Sequence, residues 1–214
     1  MVITQPQGYL ATPESANGRG VLVLHPWWGL NDTMKSVCER LADEGYTVFA
    51  PDLYRGKVAI TIEAADALSQ ELNQEQAKKD ISDAVEFLSG LDAVTRPEMG
   101  VIGFSLGAYY ALGLSVDDPQ RMRAVVLFYG TGEGDFARSR AAYMGHFAQI
   151  DEYEPEPFVR SVEQALRAAD RPVTFYTYKN AGHWFFEPDR PDAYNPAAAQ
   201  LAWERTLAFL KDSL

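Results

Sequence analysis

Residues 99–112 read Met99-Gly100-Val101-Ile102-Gly103-Phe104-Ser105-Leu106-Gly107-Ala108-Tyr109-Tyr110-Ala111-Leu112. The run up to Gly103 is apolar, as in a buried strand, and the run after Gly107 contains no helix breaker and reads as a helix. A serine with glycines at i−2 and i+2, between strand and helix, fits a nucleophile elbow. The spacing has a steric reason. The turn is so tight that its serine takes a strained backbone conformation, and a side chain at either glycine position would strike the neighbouring strand or helix. The hydroxyl then stands clear of the sheet, at a helix N-terminus whose dipole and free N–H groups favour negative charge. A five-residue match also arises by chance, so its weight depends on what the rest of the chain supplies.

Working outward, strands and helices alternate. Val21-Leu22-Val23-Leu24-His25 is a continuous apolar run closed by Pro26, as expected of a strand buried on both faces. Asn31 or Asp32 can cap the helix that follows, and Met34, Val37, Cys38 and Leu41 share one of its faces. Cys38 therefore reads as a small core residue. Tyr46-Thr47-Val48-Phe49-Ala50 is the next strand, residues 61–72 a weakly patterned helix, and Ile81, Ala84, Val85 and Leu88 mark a clearer one. Beyond the elbow, strands are expected at 123–129, 142–147 and 173–178. A helix with Phe158, Val162, Ala165 and Leu166 on its face precedes the last of these, and a C-terminal helix carries Trp203, Leu207, Leu210 and Leu214. Residues 2–10 read as an edge strand and 13–20 as a turn. The alternation predicts one α/β domain over residues 1–214, a mostly parallel sheet with helices on both faces. Ligands of such sheets bind beyond the carboxyl ends of the strands.

Composition bounds the function. The chain has 214 residues, enough for a substantial core, and a formal net charge of −11. That charge argues against nucleic acid and anionic membrane as partners. A single cysteine excludes an intramolecular disulfide and a cysteine-based zinc site. The first residues lack a basic segment followed by an apolar one, and no apolar run approaches the length of a membrane span, so a cytoplasmic location is the default expectation.

A serine hydroxyl needs a base. Of the three histidines, His183 alone follows Ser105 with room for an acid between them, the order of the hydrolase fold. It sits in Asn180-Ala181-Gly182-His183-Trp184-Phe185, directly after a strand. His25 suits a structural or rim role, and His146 a satisfied core position. Asp151, after the strand at 142–147, is favoured as the acid over Asp135 one strand earlier. For the oxyanion hole, the N–H of Leu106 follows the nucleophile. The second donor should come from His25-Pro26-Trp27-Trp28-Gly29, where Pro26 has no N–H and Trp27 is the candidate. At least one of the paired tryptophans is expected to line the site.

With these residues placed, the chain resembles the dienelactone hydrolase family of α/β-hydrolases. The likeness is carried by residues 21–31 with their Trp-Trp-Gly-Leu-Asn turn, Ala50-Pro51-Asp52-Leu53-Tyr54, residues 103–107, and Asn180-Ala181-Gly182-His183-Trp184-Phe185. Asp151-Glu152-Tyr153-Glu154-Pro155 is similar to the family's acid segment. The resemblance implies a Cys or Ser nucleophile with Asp and His, here Ser105, Asp151 and His183, and neither metal nor organic cofactor. Three departures stand out. The founding enzymes have Cys where this chain has Ser105, and a Glu after the first strand where it has Pro26. They also bind a substrate carboxylate with arginines, one before the elbow, where this chain has none between Arg55 and Arg96, and one four residues after the His, where it has Glu187. Arg190 is nearby but not aligned. The expected function is a serine hydrolase of small esters or lactones. The alternatives are an acyl hydrolase of thioesters or amides and a non-catalytic ligand-binding protein of the same fold.

Overall fold

The computed structural model describes residues 4–214. Seven strands form one sheet: β1 (Gly8–Ala11), β2 (Gly18–Leu24), β3 (Thr47–Pro51), β4 (Val94–Phe104), β5 (Met122–Phe128), β6 (Ala142–Ile150) and β7 (Val173–Gly182), in the order β1-β3-β2-β4-β5-β6-β7. β1 runs antiparallel to β3, and every other pairing is parallel. The described residues also form six α-helices: α1 (Asp32–Asp43), α2 (Ile62–Glu71), α3 (Gln74–Ser89), α4 (Leu106–Asp117), α5 (Glu156–Ala168) and α6 (Pro196–Ser213). This is an α/β-hydrolase sheet, and β2, β4 and β5 are its middle.

The apolar runs exist because both faces of the sheet are covered. Leu22 and Leu24 of β2 join the core beneath α3, α4 and α5, while Val21 and Val23 join the opposite core beneath α1 and α6. The period of two thus divides one continuous apolar strand between two cores. Asn31 caps α1 by accepting the Met34 N–H, a contact of the kind that contributes about 1 kcal/mol.

Some boundaries differ from the sequence reading. The edge strand begins at Gly8, and residues 1–3 lie outside the described residues. β2 starts at Gly18, inside the stretch read as a turn. In α5 the buried face is Val159, Val162 and Leu166, whereas Phe158 is 59% exposed and Ala165 is also exposed. Val159, Val162 and Leu166 fall at i, i+3 and i+7, and each residue step rotates the side chain by about 100°, so Phe158 points away from that face. Among the described residues no helix is long and apolar enough to cross a membrane.

Candidate active site

Ser105 joins β4 to α4 with φ 48° and ψ −110°, a left-handed backbone that costs a non-glycine residue about 1–3 kcal/mol. The surroundings hold it there: its N–H donates to Phe128 O at 2.9 Å, and its carbonyl accepts from Ala108 N at 2.8 Å. The flanking glycines are required by contact. A Cβ on Gly103 would lie 2.3 Å from Gly107 O, and one on Gly107 would lie 2.1 Å from Leu24 O.

Ser105 Oγ is 3.0 Å from His183 Nε2. His183 Nδ1 is 2.9 and 2.8 Å from the two carboxylate oxygens of Asp151. The side chains of His183 and Asp151 are only 5% and 3% exposed, so their interaction is little screened by water. Three strand ends therefore converge: β4 delivers Ser105, β6 delivers Asp151 and β7 delivers His183. Asp151 Oδ1 also accepts the N–H groups of Tyr153 and Glu154, which fixes the carboxylate and closes a tight turn. Asp135 is exposed, precedes a short 3₁₀ turn (Phe136–Arg138), and is not brought to His183. Of the two candidate acids, Asp151 is the one the fold brings to His183.

Trp27 follows β2 on a loop anchored by His25. The His25 ring is fully buried; Nδ1 donates to Pro26 O at 2.7 Å and Nε2 accepts the Leu53 N–H at 3.2 Å. Burial lowers its pKa, in keeping with this neutral structural role. The N–H groups of Trp27 and Leu106 make no backbone hydrogen bond among the described residues. Trp27 and Trp184 are partly exposed beside the site, and Trp28 is buried behind them. His146 lies in the core between Tyr178 Oη at 2.9 Å and Thr206 Oγ1 at 3.0 Å, its pKa pushed down to about 3 by burial. Cys38 is buried under α1, and desolvation pushes its thiol up to about 12.

Two residues behind His183 were not singled out as a pair by the sequence. The Tyr129 ring packs 5.0 Å from the imidazole, and its hydroxyl donates to Glu187 Oε1 at 2.8 Å. Both are fully buried, and Glu187 Oε2 has no partner among the described residues. Desolvation raises the Glu187 carboxyl to about 8, so it is protonated at neutral pH. The aligned position, four residues after His183, gave the only sequence signal, and it gave no hint of the partner 58 residues away. Glu154 ties the acid segment to the loop after β5 by accepting from the Thr131 N–H at 3.1 Å and from its hydroxyl. No group of three or more His, Cys, Asp or Glu side chains among the described residues is arranged to hold a metal ion.

The fold and this constellation define an α/β-hydrolase. Residues 7–214 match the model of the dienelactone hydrolase family, and the chain belongs to that family. It is 31% identical to protein usf of Aquifex pyrophilus and 30% identical to the Aquifex aeolicus (strain VF5) protein named "Putative carboxymethylenebutenolidase". Each of those alignments covers 97% of this chain and 94% of the relative. A solved structure named "Putative Dienelactone Hydrolase", from Klebsiella pneumoniae subsp. pneumoniae MGH 78578, superposes with a TM-score of 0.82 at 26% identity, over 95% of this chain and 92% of that one. The protein is thus a carboxylic ester hydrolase of the dienelactone hydrolase type.

Proposed function

We propose that Ser105 is the nucleophile of this hydrolase, His183 its general base and Asp151 the orienting acid, acting on small esters or lactones. The observation that carries the reading is the continuous hydrogen-bonded line Ser105–His183–Asp151, built from three strand ends. His183 Nε2 takes the Ser105 proton as Oγ attacks the ester carbonyl. The oxyanion rests on the N–H groups of Leu106 and Trp27, at the positive end of α4. The imidazolium then returns its proton to the leaving alkoxide oxygen, which departs and leaves an acyl-serine. Water, deprotonated by the same imidazole, attacks the acyl carbon; Ser105 recovers its proton and the acid is released. In a lactone the leaving alcohol stays tethered to the acyl group.

Asp151 holds the Nδ1 proton and stabilises the imidazolium. A serine hydroxyl activated directly by His183 needs no carboxylate beside it, which fits Pro26 in the loop where the founding enzymes carry Glu. The buried Cys38, with its thiol held protonated, offers no competing nucleophile. The test is Ser105→Ala assayed on phenyl acetate. Loss of about 10⁴-fold or more in kcat is expected, and wild-type turnover would overturn the assignment.

A further inference from the structure

His183 is flanked by an aromatic wall. Tyr153 and Trp184 pack against the imidazole with ring centroids 5.1 and 5.2 Å away. Trp27 stacks on Trp184 at 6.0 Å with 23° between the planes, and Trp28 meets both edge to face. Apolar surface continues from this wall. Of the eight large hydrophobic side chains exposed among the described residues, six lie within residues 58–62 and 150–158. The first segment is pinned to the wall by the Ala59 N–H donating to Trp28 O at 2.9 Å, and the second carries Tyr153, whose ring meets Trp27 at 5.7 Å.

The charge beside the wall has the wrong sign, or the wrong commitments, for an anionic substrate. Arg190 lies flat on Trp28, with Cζ 3.6 Å from the ring centroid. Its terminal nitrogens donate to the Ile60 and Ala59 carbonyls at 3.3 and 3.4 Å, and it reaches Asp189 at 3.5 Å. Its guanidinium is thus used to hold the 58–62 segment. The cleft next to His183 is lined by Glu152 and Asp192 as well as Tyr153, Trp184 and Tyr194, and by no lysine or arginine. The faces and edges of Trp27 and Trp184 that stay open beside His183 offer apolar contact and no countercharge for a carboxylate.

Resting on the ester-hydrolase reading above, we infer that this site selects uncharged esters or lactones bearing an aromatic or similarly flat apolar group, and rejects carboxylate-bearing ones. A flat ring gains face and edge contacts on the wall in addition to its buried area. A carboxylate there gives up hydration beside an Arg190 guanidinium already committed to Trp28 and the 58–62 carbonyls.

Calorimetric titration of Ser105→Ala with benzamide and benzoate, a neutral and an anionic ligand of nearly one shape, tests the selection apart from catalysis. Benzamide is expected to bind at least about tenfold tighter, a difference of about 1.4 kcal/mol. Benzoate binding as well as benzamide, or no benzamide binding at millimolar concentration, overturns the inference. In the otherwise wild-type enzyme, Tyr153→Ala should lower the ratio of kcat/KM for phenyl acetate to that for ethyl acetate about tenfold; an unchanged ratio also overturns it. Selective benzamide binding by a protein that cleaves no ester would support the inference and refute only the hydrolase mechanism.

Discussion

Asp151→Asn isolates the role of one negative charge. In the native site Oδ1 accepts from Tyr153 N at 3.0 Å and Glu154 N at 2.9 Å, while Oδ2 faces His183 Nδ1 at 2.8 Å. An asparagine keeps its carbonyl oxygen on the two backbone donors, so the turn survives. Its Nδ2 then takes the place of Oδ2 and sets a donor against Nδ1 across 2.8 Å, while Oδ1, 2.9 Å from Nδ1, is already shared by two backbone donors. The imidazole relieves this by carrying its proton on Nε2, where it meets the Ser105 hydroxyl as a donor and can no longer accept its proton. The charge that steadies the imidazolium is lost as well. The expected loss is about 10⁴-fold in kcat, or about 5 kcal/mol of transition-state stabilisation. Steady-state kinetics on phenyl acetate at neutral pH read this directly, with thermal unfolding as the check that the fold is kept. Asp135→Asn, at an exposed position away from His183, is the control and should stay within about twofold. An Asp151→Asn enzyme within about tenfold of wild type would refute the tautomer argument.

Further outcomes follow from the elbow, the buried acid and the lone thiol. Gly107→Ala puts a Cβ 2.1 Å from Leu24 O, where only backbone can yield; a loss of about 3 kcal/mol or more is expected in urea unfolding, and an unchanged midpoint contradicts the steric account. Glu187 has its folded pKa raised to about 8, above the ordinary value, so the stability it allows is fully present below about pH 4 and is lost as pH rises through about 8. Glu187→Gln keeps an acceptor for Tyr129 and removes the titration. Its melting temperature should exceed that of wild type by at least about 4 °C near pH 8.5, with the gap closing near pH 4.5; a gap independent of pH contradicts the buried-acid reading. Cys38 should resist iodoacetamide in the folded protein while esterase activity persists, and inactivation by the reagent would contradict a serine nucleophile.

Most of the site could be read from the chain because each part is a local event at a strand end. Gly103 and Gly107 announce a turn without room for side chains, and His183 and Asp151 each follow the last residue of a strand. Strand order then made Asp151 a better partner than Asp135. Contacts that join distant segments left no such trace. Nothing near Tyr129 marks it as the partner of Glu187, and nothing near Arg190 shows that its guanidinium lies on Trp28. Periodicity also misled where two apolar sets overlap. Phe158 and Val159 are adjacent, either can start a face that includes Val162 and Leu166, and only the packed structure shows that Val159 meets the sheet. The tryptophans were expected to divide between core and site; Trp28 is buried, while Trp27 and Trp184 stay partly open beside His183.

The most direct test of the central claim is covalent capture of the nucleophile. The folded protein is treated with a fluorophosphonate, digested and examined by mass spectrometry. The account predicts one stoichiometric adduct on Ser105, loss of esterase activity in step with labelling, and no adduct in Ser105→Ala. Full labelling at another residue, or retained activity with Ser105 modified, would contradict it.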